Sequence, residues 1–107
     1  MEKITTTIKR EWLKEIAAKR KRVEYRDIKP YWENRFKATK PPFLLRLING
    51  MSKNAPEVTV EVRTVVRNKK DGQFELYLGK VVEVRNWDAK REQPKSVSND
   101  AAKLKRR

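Results

Sequence analysis

Residues 58–87 read VTVEVRTVVRNKKDGQFELYLGKVVEVRNW. Val58, Val60 and Val62 alternate with polar residues, so successive side chains fall on opposite faces of an extended strand. The apolar row changes phase near Val65 and Val66, which predicts a bulge. Asp71-Gly72 marks a hairpin, because both residues tolerate the backbone conformations of a tight reversal. FELYLGKVVEVRNW then returns as a second strand, interrupted at Gly79. A β-hairpin longer than the other elements is therefore expected in the second half of the chain.

The first half reads as shorter elements. KITTTI (3–8) is alternating and β-branched, a strand pattern. REWLKEIAA (10–18) places Trp12, Leu13, Ile16 and Ala17 on one helical face. VEYRD (23–27) reads as a strand with Val23 and Tyr25 on one side and Glu24 and Arg26 on the other. The company of Val23 favours burial of Tyr25. PYWENRF (30–36) fits a short helix starting at Pro30, whose fixed φ suits a first helical position. Pro41-Pro42 closes that region, FLLRLI (43–48) is a further strand, and NGMSKNAPE (49–57) is a loop. Strands outnumber helices. The expected class is α+β, mainly β: a small closed or nearly closed barrel covered by two short helices, with an open α+β sandwich as the alternative.

The chain has 107 residues, which suits one small domain. It contains no Cys and no His. Disulfides, thiol nucleophiles, imidazole bases and the usual zinc sites are excluded, and no cofactor or metal is implied. Any catalysis must use Lys, Glu, Asp, Tyr, Ser or Thr. No apolar run is long enough for a membrane span and MEKITTTIKREW is not a signal peptide, so a soluble, cytoplasmic monomer is expected.

The apolar pattern stops at Trp87. Residues 88–107, DAKREQPKSVSNDAAKLKRR, carry no aromatic and few aliphatics, and are expected to form a flexible basic tail behind a folded unit of residues 1–87. The tail holds seven Lys or Arg against three Asp or Glu, so +4 of the formal +14 lies there and +10 lies in the folded part. An excess of that size points to a polyanion, with nucleic acid first and an anionic membrane surface second.

Just after the first helix, KRKRVEYRDIK (19–29) contains the spacing Lys21-x-x-Glu24-x-Arg26. This K-x-x-E-x-R run, the helix REWLKEI before it, the aromatic KPYWENRF after it and the closing LGKVVEVRNW together resemble the ASCH domain family of the PUA-like superfamily. The resemblance covers about residues 4 to 87. It implies a PUA-like β-barrel of five or six strands with two or three short helices, a cleft beside the signature, and a role with RNA or modified bases. Some members are acetylcytidine amidohydrolases that use a lysine, a threonine and a glutamate. The lysine falls on Lys21, the threonine falls where this chain has Glu24, and the segment bearing the glutamate has no counterpart here. The family's glycine before the signature is Lys19 in this chain. A lysine in the left-handed conformation usual after a helix would cost about 1 kcal/mol, unless the turn differs.

The expected function is nucleic-acid binding, RNA foremost or single-stranded DNA, in a basic cleft formed by Lys19, Lys21, Arg22, Glu24, Arg26 and Lys29. Arg26 would orient Glu24, Glu24 would accept an exocyclic amine of a base, and Lys21 would meet a phosphate or polarise a carbonyl. Lys9, Arg10, Lys14 and Arg20 would extend the basic surface along the helix. Trp12, Phe36, Phe43 and Phe74 are expected in the core, while Tyr31 or Trp32 could stack on bases. The alternative is a small hydrolase acting on RNA or a modified nucleoside, with Lys21 and Glu24 as catalytic residues.

Overall fold

The computed structural model describes residues 1–95. Its longest elements are strands β4 (Glu57–Asn68) and β5 (Gln73–Arg85), paired antiparallel. Their reversal places Gly72 at a φ of 67°. That is a left-handed conformation in which a glycine meets no Cβ penalty. Asn68 fastens the turn: its side chain accepts from the Asp71 backbone N–H at 3.1 Å and donates to the Asp71 carboxylate at 3.0 Å. The pairing slips between Thr59 and Val60, between Val60 and Val62, and between Val62 and Thr64. Val62 and Val65 both pack inward, so the phase change foreseen at Val65 is present, but its cause lies earlier in the strand. Each slip adds local twist, and together they bend the hairpin.

Five strands follow that bend in the order β1-β3-β4-β5-β2. Strand β1 (Lys3–Thr7) runs parallel to β3 (Phe43–Ile48), β3 is antiparallel to β4, and β2 (Val23–Asp27) is antiparallel to β5. The fold is α+β and mostly strand, a mixed half-barrel carrying two short helices, α1 (Arg10–Ala17) and α2 (Pro30–Ala38). Strand β3 shows why the sheet closes on itself: Phe43, Leu45 and Leu47 alternate inward and are wholly buried. They meet Val58, Val60 and Val62 of β4, Leu13 and Ile16 of α1, and Phe36 of α2. Each such aliphatic side chain contributes roughly 1.5–3 kcal/mol by leaving water.

Helix α1 ends in a paired-bond cap. The Lys19 N–H donates to the Ile16 carbonyl and the Arg20 N–H to the Glu15 carbonyl, both at 2.9 Å. Such bonds satisfy carbonyls that the end of the helix leaves open. Lys19 takes a φ of 67° to make this cap. The lysine therefore occupies the left-handed position that a glycine would fill without strain.

Two expectations are corrected. On β2 the inward face is Glu24 and Arg26, not Val23 and Tyr25. Register decides this: Glu24 lies opposite Leu76 and Arg26 opposite Phe74, both core residues, so their side chains share the concave face. Tyr25, which points to the other side of the strand at its exposed edge, is 47% exposed. The chain also stays ordered beyond Trp87. Strands β6 (Trp87–Asp88) and β7 (Gln93–Pro94) pair, Trp87 is buried, and Glu92 contacts Arg20 at 3.0 Å and Lys14 at 3.9 Å. The remainder of the expected tail, residues 96–107, lies outside the described residues. Among the described residues no helix is long and apolar enough to cross a membrane.

Candidate nucleic-acid interface

The half-barrel leaves a seam between its edge strands β1 and β2. Arg26 spans it: its Nη2 donates to the Thr7 carbonyl at 3.0 Å and its Nε to Glu24 Oε2 at 2.9 Å. Nη2 also lies 2.7 Å from Glu24 Oε2. A guanidinium suits this post because its planar fork can hold a carboxylate and a carbonyl together. The Trp32 ring packs against it, 5.3 Å from ring centroid to guanidinium carbon. Phe36 stacks behind that ring at 5.4 Å. The cation thus lies over an aromatic face, which attracts it.

Glu24 is therefore a withdrawn carboxylate with unequal oxygens. Oε2 receives both contacts from Arg26. Among the described residues, the one ion-pair contact to Oε1 is from Lys21 Nζ, at 3.6 Å. That is a charge contact longer than a hydrogen bond. The Lys21 ammonium sits between two rings, 5.0 Å from the Trp12 centroid and 5.1 Å from that of Tyr25. Its side chain is 15% exposed. Trp12, expected in the core, is 44% exposed. With Tyr25, Arg26, Lys9, Lys29 and Asn49 it lines an open cleft of about 560 Å³.

No protein-family model matches this chain, and no curated protein matches it either.

The six residues expected to share one basic cleft fall into two neighbouring places. Glu24, Arg26 and Lys29 line the seam cleft. Lys19, Lys21 and Arg22 line a separate pocket beside the turn after α1, and Lys21 also lines a hollow with Trp12, Glu24 and Tyr25. Lys29 is exposed and lies 3.8 Å from Asp27. Of the basic stripe foreseen along α1, Lys9 lines the seam cleft and the other three cations have partners within the protein. Arg10 donates to Asn49 at 2.9 Å, Lys14 faces Glu92, and Arg20 forks onto Glu15 at 2.8 and 3.0 Å. That fork holds the Glu15 carboxyl below the usual range, and hydrogen bonds to Glu15 and then Glu92 raise Arg20 in turn.

Trp32 is buried against Phe36, which removes it as a stacking surface, while Tyr31 is 54% exposed. The rings that face the cleft are Trp12 and Tyr25. A trace of this was present in the sequence: Trp12 stands at the edge of the apolar arc of α1, and Leu13 and Ile16 alone suffice to fill the core beneath it.

Chemically, the cleft offers a carboxylate oxygen with acceptor capacity, two ring faces and a cationic rim. That set suits a planar, amine-bearing ligand. Among the described residues no group of three Asp or Glu is placed to hold a metal ion.

Proposed function

We propose that this chain is an ASCH-like, PUA-like domain that binds single-stranded nucleic acid, RNA first, in the seam between β1 and β2. One observation carries the reading. Glu24 is 5% exposed, is oriented by Arg26 through one oxygen, and turns the other toward a cleft flanked by two exposed rings. A base entering there displaces the Lys21 ammonium from between the rings, stacks on Trp12 or Tyr25 and donates its exocyclic amine to Glu24 Oε1. Cytosine, adenine and guanine have such an amine and uracil does not, so the cleft disfavours uracil. The +10 charge of residues 1–87 supplies attraction for the strand without sequence preference. Such a role is cytoplasmic and needs no metal or cofactor.

A second reading has one observation in its favour. Lys21 is largely withdrawn from solvent beside Glu24, as a catalytic lysine would be. In that reading the domain is a small hydrolase of RNA or of an acylated nucleoside, with Lys21 and Glu24 at the reacting bond.

One experiment tests both. Labelled oligo-C, oligo-A and oligo-U RNA, duplex RNA and single-stranded DNA are titrated with the protein and with Glu24→Gln at two salt concentrations. The RNA is then examined for cleavage, and acetylcytidine for deacetylation. Binding that prefers C and A over U, survives moderate salt and loses that preference in Glu24→Gln supports the module. Equal binding to all strands that vanishes with salt refutes it. Turnover abolished by Lys21→Met selects the hydrolase.

A further inference from the structure

The turn after α1 and the bulged part of the β4–β5 hairpin enclose a pocket of about 210 Å³. Lys19 and Arg22 enter it from the turn, Arg63 and Lys80 from the hairpin, and Gly79 lies at its floor. The two sources of charge are independent. Lys19 and Arg22 follow the C-terminus of a helix, where cations complement the dipole in any case. Arg63 and Lys80 have no such reason to be there. They are aimed at the pocket by register slips on facing strands, since β5 carries an extra residue between the Val60–Val81 and Val62–Leu78 pairs, and β4 carries one between Val62 and Thr64.

Gly79 serves this arrangement. A Cβ at that position would come within 2.6 Å of both Arg63 Nε and Glu61 Oε1, and within 3.1 Å of Arg63 Cγ. Its backbone needs no glycine for conformational reasons, so the missing side chain is what lets Arg63 lie flat across β5. Glu61 takes the Nε edge of Arg63 at 3.5 Å. The far end of the guanidinium fork therefore has donors to spare. Among the described residues Lys19, Arg22 and Lys80 make no ion pair or side-chain hydrogen bond. The Arg22 carbonyl accepts the Leu78 N–H at 2.9 Å, which ties the turn to the strand directly before Gly79. Five cationic residues thus line one small hollow, Lys21 with its ammonium turned to Glu24 and the other four with a single carboxylate, Glu61, paired to Arg63 against them. All four are exposed, so water screens their mutual repulsion, and an anion held among them would be attracted by each.

We infer that this pocket is a phosphate site, built from Lys19, Arg22, Arg63 and Lys80 over Gly79. Resting on the nucleic-acid reading above, the phosphate is one of the strand whose base occupies the seam cleft. Lys21 is the link, because it lines the pocket while its ammonium reaches Glu24 in the cleft. The pocket sets where the backbone lies and the cleft reads the base.

The test uses amide and arginine-side-chain spectra of the full protein in two arms, inorganic phosphate against matched chloride, and a five-nucleotide RNA. Three variants accompany it: Arg22→Ala/Lys80→Ala, the remote control Lys37→Ala/Lys40→Ala with the same charge loss, and Gly79→Ala, which displaces Arg63 at unchanged charge. Phosphate is expected to shift Gly79, Lys80 and the Arg63 Nε–H. The response should weaken about tenfold in Gly79→Ala and in the pocket double variant, and be kept in the control. In the RNA arm, the salt slope should fall by about 1.4 in the pocket variant, the share of two single-strand contacts. Equal losses in both charge-removed variants, shifts spread evenly over the basic surface, or full affinity in Gly79→Ala would overturn the pocket. A localised phosphate response with no RNA binding would keep the site and sink the nucleic-acid reading.

Discussion

Two glutamates are drawn into this small protein, each with an arginine, and they are put to different ends. Glu57 on β4 is 8% exposed and receives the Arg46 fork at both oxygens, 2.8 Å from Nε and 3.0 Å from Nη2. Both oxygens are held by one guanidinium, which fastens β3 to β4. Glu24 on β2 is buried to a similar degree, but Arg26 uses one oxygen only and gives its other contact to the Thr7 carbonyl across the seam. Burial and pairing alone therefore do not mark a functional carboxylate. What sets Glu24 apart is an oxygen that its arginine does not contact, on a residue that lines the seam cleft.

The comparison is broken most severely at Arg26. Arg26→Ala leaves Glu24 without its main partner and opens the seam, and the expected loss is about 3 kcal/mol in urea unfolding. A loss below about 1 kcal/mol would mean that Lys21 alone satisfies Glu24. Next comes Trp12→Ala. RNA affinity should fall by roughly 1–3 kcal/mol through loss of stacking. Stability should change little, because the ring is 44% exposed. Fluorescence anisotropy and thermal unfolding separate the two effects. Third is the purely structural pair: Arg46→Ala should cost about 1–2 kcal/mol in stability and leave RNA affinity unchanged. An affinity change there would erase the distinction between the pairs.

Acid sharpens the contrast further. The Arg46 hydrogen bond, aided by its charge and those of Arg85 and Lys3, holds Glu57 below its ordinary value of 4.5 against the opposing effect of burial. Below that ordinary value the unfolded chain takes up the proton that the folded chain resists. The stabilisation from Glu57 is thus complete above about 4.5 and is lost as pH falls through the lowered folded value. A Glu57→Gln variant should show a shallower acid limb in stability against pH. The smallest effect is expected at Lys29→Ala, which removes an exposed pair with Asp27 at 3.8 Å. Such a pair contributes about 0.5 kcal/mol or less. Only the salt slope of RNA binding should move.

Much of the strand framework was legible because alternation reports directly on a one-sided sheet. VEYRD, FLLRLI and the long hairpin stand where their patterns put them. The inward face of β2 was not legible. Hydropathy assigns Val23 and Tyr25 to the core, and only pairing with β5 reveals that the side facing Leu76 and Phe74 carries Glu24 and Arg26. Local pattern cannot show a register set by another strand. The pairing of β6 with β7 beyond Trp87 was missed for a related reason. Glu92 is held by Arg20 and Lys14, a contact between charged residues far apart in sequence that leaves no apolar trace. The splitting of the basic residues into a cleft and a pocket likewise depends on where Gly79 and the register slips bring Arg63 and Lys80.

The parallel pairing of β1 with β3 also bears on the order of folding. Ile4 lies opposite Leu45, so about forty residues must be gathered before β1 can dock, whereas β4 and β5 meet through a tight turn. The hairpin is the most local of these pairings, and the N-terminal strand is expected to dock after it. Since Arg26 finds the Thr7 carbonyl only once β1 is in place, the seam cleft is among the last features completed. Substitutions at Arg26 should then speed unfolding far more than they slow folding, while those at Val60 or Leu76 should slow folding. A chevron series on these three positions would test whether the seam cleft is the part of the molecule that opens first.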